Sequence, residues 1–150
     1  MINQTELIQI AAGFVGTVGF ALLFNICGKR LIMAALGGLL SWLLFVLVHH
    51  VIPSEPVVYF IVACAISLYA ELMARLLKTP TTAFIITSLI PLIPGASLYY
   101  TMVYAFQGDL NTFIPKAVYT LELAAALALG VIVSATLVRV FHRITHKKPR

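Results

Sequence analysis

The stretch Thr87-Ser88-Leu89-Ile90-Pro91-Leu92-Ile93-Pro94-Gly95-Ala96-Ser97 interrupts an apolar run, residues 81–106, that is otherwise long enough to cross a bilayer. Each proline lacks an amide donor, which frees the carbonyls of Thr87 and Ile90 four residues earlier, and Gly95 permits backbone angles that a helix does not use. In hydrocarbon an unsatisfied carbonyl costs several kcal/mol, so the gap has to be filled. Two fillings fit. Neighbouring hydroxyls make the break a packing kink. Alternatively the freed carbonyls hold a cation, and the amides of Ala96 and Ser97, which open the second half-helix, receive a carboxylate.

Working outward, a spanning helix needs about 20 mostly apolar residues, and four further runs have that length: 7–26, 31–52, 57–77 and 116–141. The run over 81–106 reads as a fifth, broken span in preference to two re-entrant segments. The expected fold is an all-α integral membrane protein of about five transmembrane helices, one domain over 1–150, with the fourth helix broken at Pro91, Pro94 and Gly95. Charge placement orients it. With the N-terminus outside and the C-terminus cytoplasmic, Lys29, Arg30, Arg75, Lys78, Arg139, Arg143, Lys147, Lys148 and Arg150 all fall on the cytoplasmic side, and Lys116 alone falls outside. Connections are short, and only residues 107–115 are long enough to form a loop. The basic tail over 142–150 is expected to lie near anionic head groups.

Of 150 residues 61% are hydrophobic and 10% charged, against roughly a quarter charged in a soluble domain, so a water-soluble fold is excluded. The net charge of +5 is spread between apolar runs and forms no nucleic-acid patch. The N-terminus has no basic residue before Lys29 and no short-core cleavage pattern, so no cleaved signal peptide is expected. Cys27 and Cys64 are too far apart along the fold to bridge. No nucleotide loop, zinc spacing or nucleophile motif is present, so no cofactor is expected and an embedded enzyme is disfavoured.

Chemistry is expected at a few positions. Pro91, Pro94, Gly95 and Ser97 shape the break, and Tyr100 and Tyr104 share a face beyond it, as substrate contacts or, with Tyr99, as an interfacial aromatic belt. Glu71 and Arg75 are one turn apart and can form an ion pair or leave Glu71 to carry a proton or contact substrate. Glu122, with Tyr119 nearby, is a proton carrier or an interfacial carboxylate. His49 and His50 close the second span and are weak metal or pH-sensing candidates. Asn25 fits a helix end or an interhelical hydrogen bond. Small residues at Ala12, Gly13, Gly16 and Gly19, and at Ala34, Ala35, Gly37 and Gly38, mark helix contacts.

Gly19-Phe20-Ala21-Leu22-Leu23-Phe24-Asn25, Ala70-Glu71-Leu72-Met73-Ala74-Arg75 with Lys78-Thr79-Pro80, and Ile90-Pro91-Leu92-Ile93-Pro94-Gly95 together resemble the threonine/serine exporter family, specifically its short membrane subunit. The resemblance covers nearly the whole chain. It implies proton-driven secondary export of threonine and serine, or of dicarboxylates such as succinate, in the bacterial cytoplasmic membrane. It also implies a longer companion subunit, with membrane lipid around the pair. A non-transporting scaffold subunit and a self-sufficient homo-oligomeric channel are the other readings.

Overall fold

A computed structural model describes residues 3–145, except for the side chains of 142, 143 and 145. Of the basic tail, Arg143, Lys147, Lys148 and Arg150 therefore fall outside the described side chains. The described residues form six α-helices and one 3-10 turn, with no strand: α1 (Gln4–Leu23), α2 (Lys29–His49), α3 (Glu55–Leu76), α4 (Thr81–Leu89), the turn Ile90–Leu92, α5 (Gly95–Gln107) and α6 (Leu110–Thr145). Four of these are long and apolar enough to cross a membrane. The pair α4 and α5, bent by 61° at its break, brings the number to five if it counts as one span.

Local chemistry sets most of the boundaries. Asn3 starts α1, its amide donating to Glu6 Oε2 at 2.7 Å. Asn25 ends it in the left-handed region, φ 57°, which asparagine tolerates better than most residues. The Asn25 and Ile26 amides close the helix on the carbonyls of Leu22 and Ala21. Asn25 is thus a helix-end residue.

The expected loop over 107–115 is mostly helix instead. Gly108 takes φ 72° after the last residue of α5, a conformation that favours glycine, and Asp109 starts α6 at once. Asp109 Oδ2 accepts the Thr112 hydroxyl at 2.6 Å and Oδ1 accepts its amide at 3.3 Å. The hydroxyl bond first, and then the amide bond, hold this carboxyl below the usual carboxylate range. A depressed folded-state pKa gives stabilisation that is present above the unfolded value and disappears as pH falls through the folded value. Protection factors for the amides of the first turn of α6 should therefore decrease on acidification, and Asp109→Asn should remove that dependence. Wild-type protection that does not change with pH would contradict the cap.

Packing is concentrated on α3, which makes its most extensive contact with α6 and also touches α2 and α4. One buried cluster joins Val58, Val62, Ala63 and Ile66 of α3 to Leu89, Leu92 and Leu123. A second joins Ala21, Ala34, Ala70, Ala74 and Phe84. The Tyr69 hydroxyl donates to the Met33 carbonyl at 2.7 Å, crossing from α3 to α2. Small residues allow this closeness unevenly. A Cβ on Gly38 would collide with Thr17, one on Gly37 with Ser88 and Tyr69, and one on Gly130 with Ala63 and the Phe60 carbonyl. Gly13 sits against Pro91 and Trp42, whereas Gly16 and Gly19 have nothing within 4 Å and Ala12 is exposed. The expected contact role therefore holds for the α2 positions and Gly13, but Ala12, Gly16 and Gly19 face away from the bundle.

Candidate functional site

At one end of the bundle α1, α3 and α6 begin and α2 ends, and polar side chains from all four meet. His50 Nε2 lies 3.5 Å from Glu6 Oε1, and His49 Nε2 lies 3.8 Å from Glu55 Oε1. The Tyr119 hydroxyl of α6 donates to Glu55 Oε2. Lys116 Nζ sits over the Tyr119 ring, 5.8 Å from its centroid, a cation–π distance.

Beneath this group lies a cavity of about 490 Å³, within the roughly 300–1,000 Å³ typical of small-molecule sites. The break forms one wall, with Pro91, Ile93, Pro94, Gly95, Ala96 and Ser97, and Tyr100 continues it. Glu55, Lys116 and Tyr119 line it from α3 and α6, and Gln9 from α1. An aromatic side consists of Trp42, Phe45 and Tyr59: Trp42 stacks on Phe45 at 5.0 Å and Phe45 meets Tyr59 edge-on at 5.3 Å. The Trp42 indole N–H is buried and has no hydrogen-bond partner among the described residues.

The break itself differs from the sequence expectation in two details. The Ile90 carbonyl, expected to be free, accepts the Ile93 amide at 3.2 Å, because the 3-10 turn replaces the bond that Pro94 cannot make. Gly95 adopts no left-handed angle. Packing does not demand a glycine there either, since an added Cβ would meet nothing within 4 Å. As first-turn donors the amides of Ala96 and Ser97 have no acceptor within α5, and no backbone bond leaves the helix from either.

Ser97 is already engaged. Its Oγ lies 2.7 Å from Thr120 Oγ1, which is also 3.0 Å from Thr101 Oγ1, so a ladder of hydroxyls docks α5 on α6. Tyr104, expected beside Tyr100, lies one turn further on, outside the lining. Glu71 and Arg75 form an ion pair, with Arg75 Nη2 and Nε at 3.1 and 3.2 Å from Glu71 Oε1. That pair lies on a separate apolar groove of about 400 Å³ between α3 and α6, lined by Leu68, Leu72 and Leu137 among others. Glu122 is exposed on α6 and lines neither space. Among the described residues no group of three or more His, Cys, Asp or Glu side chains could hold a metal.

Sequence reading missed Glu55, Lys116 and Trp42 as site residues. Glu55 stands in the short connection between two prolines, where a carboxylate reads as solvated. Lys116 did carry a signal, as the one basic residue placed opposite the other nine.

A family model described as "Threonine/Serine exporter, ThrE" matches residues 9–137. No curated protein and no solved structure matches the chain.

Proposed function

We propose, from the premise that this chain belongs to the threonine/serine exporter family, that it is the membrane subunit of a proton-coupled secondary exporter for small amino acids or dicarboxylates. Family and apolar helices together make it a membrane transport protein. The finer reading has five crossings with the N-terminus outside, in a bacterial cytoplasmic membrane, alongside a longer companion subunit.

The observation that carries this reading is the cavity at the bend of α4 and α5. A break of this kind places orphan amides and a polar cavity where hydrocarbon would otherwise be. The substrate's carboxylate meets the amides of Ala96 and Ser97 or the Lys116 ammonium, and Pro91, Pro94, Gly95 and Tyr100 set the shape. Glu71 and Arg75 serve as an ion pair near the cytoplasmic end, and Glu122 serves as an interfacial carboxylate. The outward Ala12, Gly16 and Gly19 favour a second reading, a non-transporting subunit that stabilises a partner through close helix contact.

Proteoliposome efflux of labelled threonine, serine and succinate under an imposed proton gradient separates these. The exporter reading expects gradient-dependent flux with chain and companion together. Flux from the chain alone would point to a homo-oligomer. With both chains present, absence of flux would reject the exporter reading in favour of the scaffold.

A further inference from the structure

Glu55 is the only carboxylate among the described residues that line the cavity. Its two oxygens are in different situations. Oε2 accepts the Tyr119 hydroxyl, whereas Oε1 faces His49 Nε2 at 3.8 Å, beyond hydrogen-bond reach, and accepts no hydrogen bond among the described residues. Lys116 lines the same cavity, yet no ion pair joins it to Glu55 among the described residues; its ammonium rests on the Tyr119 ring instead. One tyrosine thus holds a carboxylate at its hydroxyl and an ammonium over its face. Opposite charges paired with each other would neutralise the site. Held apart, each is available to a ligand that carries the complementary charge at each of its two ends.

We infer that Glu55 is the coupling residue of the exporter, its Oε1 binding either the ammonium of an α-amino acid or a proton, but not both. The inference rests on the substrate reading of the cavity given above. Lys116 and the first amides of α5 take the carboxylate end. Protonated Glu55 has no charge with which to hold an ammonium, so binding follows Glu55–COOH + R–NH3⁺ → Glu55–COO⁻···⁺H3N–R + H⁺. The proton leaves to solvent past His49, whose side chain lies 3.8 Å from Oε1 and is 42% exposed. Charge and atoms balance, and one substrate exchanges for one proton. A dicarboxylate reverses the sign. Its second carboxylate would meet a charged Glu55, so it enters only with Glu55 protonated; carried outward with that proton it would oppose an inward proton gradient, so this site suits an amino acid and not a dicarboxylate as the gradient-driven substrate.

The titratable groups that face Glu55 are Tyr59 on its own helix, His49 from α2, and Lys116 and Tyr119 from α6; α5 contributes Tyr100, and α1 contributes Gln9 to the cavity and, beside it, Glu6, which lies 3.5 Å from His50 of α2. Of the other four acidic residues, Glu6 lies against His50, Asp109 caps α6, Glu71 is held by Arg75 in a separate groove and Glu122 is exposed on α6, and none of them lines this cavity.

The test uses the purified full chain, with its companion where binding requires it, in weakly buffered solution with a pH-indicator dye, stepped from neutral to acid pH. L-Threonine or L-serine is expected to release up to one proton per molecule bound, with apparent affinity falling as pH falls. Glu55→Gln, which keeps an acceptor for Tyr119, should abolish the release and weaken threonine binding at least tenfold at neutral pH. Glu55→Asp should retain the release. Threonine binding whose proton release persists in Glu55→Gln would overturn the assignment while leaving the substrate site standing. Proton uptake with succinate, and no threonine binding, would overturn the ammonium role. Failure of the wild-type protein to bind any of the three would reject the cavity as a substrate site, a separate result from failed coupling.

Discussion

Replacing Gly95 with leucine abolishes export and leaves a folded, membrane-inserted protein. Gly95 is the first residue of α5 and faces the cavity, where an added Cβ would meet nothing within 4 Å. The first carbon of a leucine side chain is therefore accommodated, and the rest extends into space that substrate would use. Helix propensity does not oppose the change, since leucine is favoured over glycine by up to roughly 1 kcal/mol in a helix interior. The expected loss of substrate affinity is at least about a hundredfold, close to 2.8 kcal/mol at about 1.4 kcal/mol per decade. Labelled substrate binding and efflux measure the loss, while size-exclusion profile and circular dichroism report the fold. Normal export by the folded variant would reject the assignment of the cavity.

Leucine at Gly130 should have the opposite consequence, a damaged fold. There a Cβ would lie 2.7 Å from the Phe60 carbonyl oxygen and 2.7 Å from Ala63 Cβ. The first of these is backbone and cannot rotate aside, so α3 and α6 must separate. Separation would break the Cys64 thiol bond to the Gly130 carbonyl, 3.3 Å in the native packing, and open the cluster that joins Ala63 to Leu123. Ordinary overpacking costs about 1–3 kcal/mol, and a backbone collision at the most extensive helix contact should reach or exceed the top of that range. Gly16→Leu is the matched control, with no atom within 4 Å. Thermal unfolding in detergent should show Gly130→Leu well below wild type and Gly16→Leu level with it. Equal stability of the two variants would contradict the α3–α6 packing.

These two glycines also show what a sequence can and cannot reveal. The helical class and the apolar spans are legible because they depend on composition over about 20 consecutive residues, which lipid constrains strongly. Which small residue meets which helix depends on lateral packing, and no single helix's sequence carries that information. Gly16 has small-xxx-small spacing with Ala12 yet faces outward, while Gly130, which has the same spacing with Ala126 and Ser134, sits against the α3 backbone.

The site divides in the same way. Pro91, Pro94, Gly95, Ser97 and Tyr100 lie within ten residues of one another, so their proximity is local and readable. Glu55, Lys116 and Trp42 join them in one cavity only because three other helices converge there. The residues of 107–115 misled for a different reason. Their length between two apolar runs suggested a loop, but Gly108 and the Asp109 cap compress the connection to two residues.

The central claim is that the cavity beside the bend holds the substrate. It is tested most directly by placing a single cysteine at Ala96, on the cavity wall, after replacing Cys27 and Cys64 with serine, and measuring its reaction with a membrane-impermeant thiol reagent added from outside. Labelling of Ala96→Cys is expected to slow with increasing threonine or serine, at concentrations that also saturate transport. Labelling that proceeds at the same rate with saturating substrate, in a variant that still exports, would contradict it.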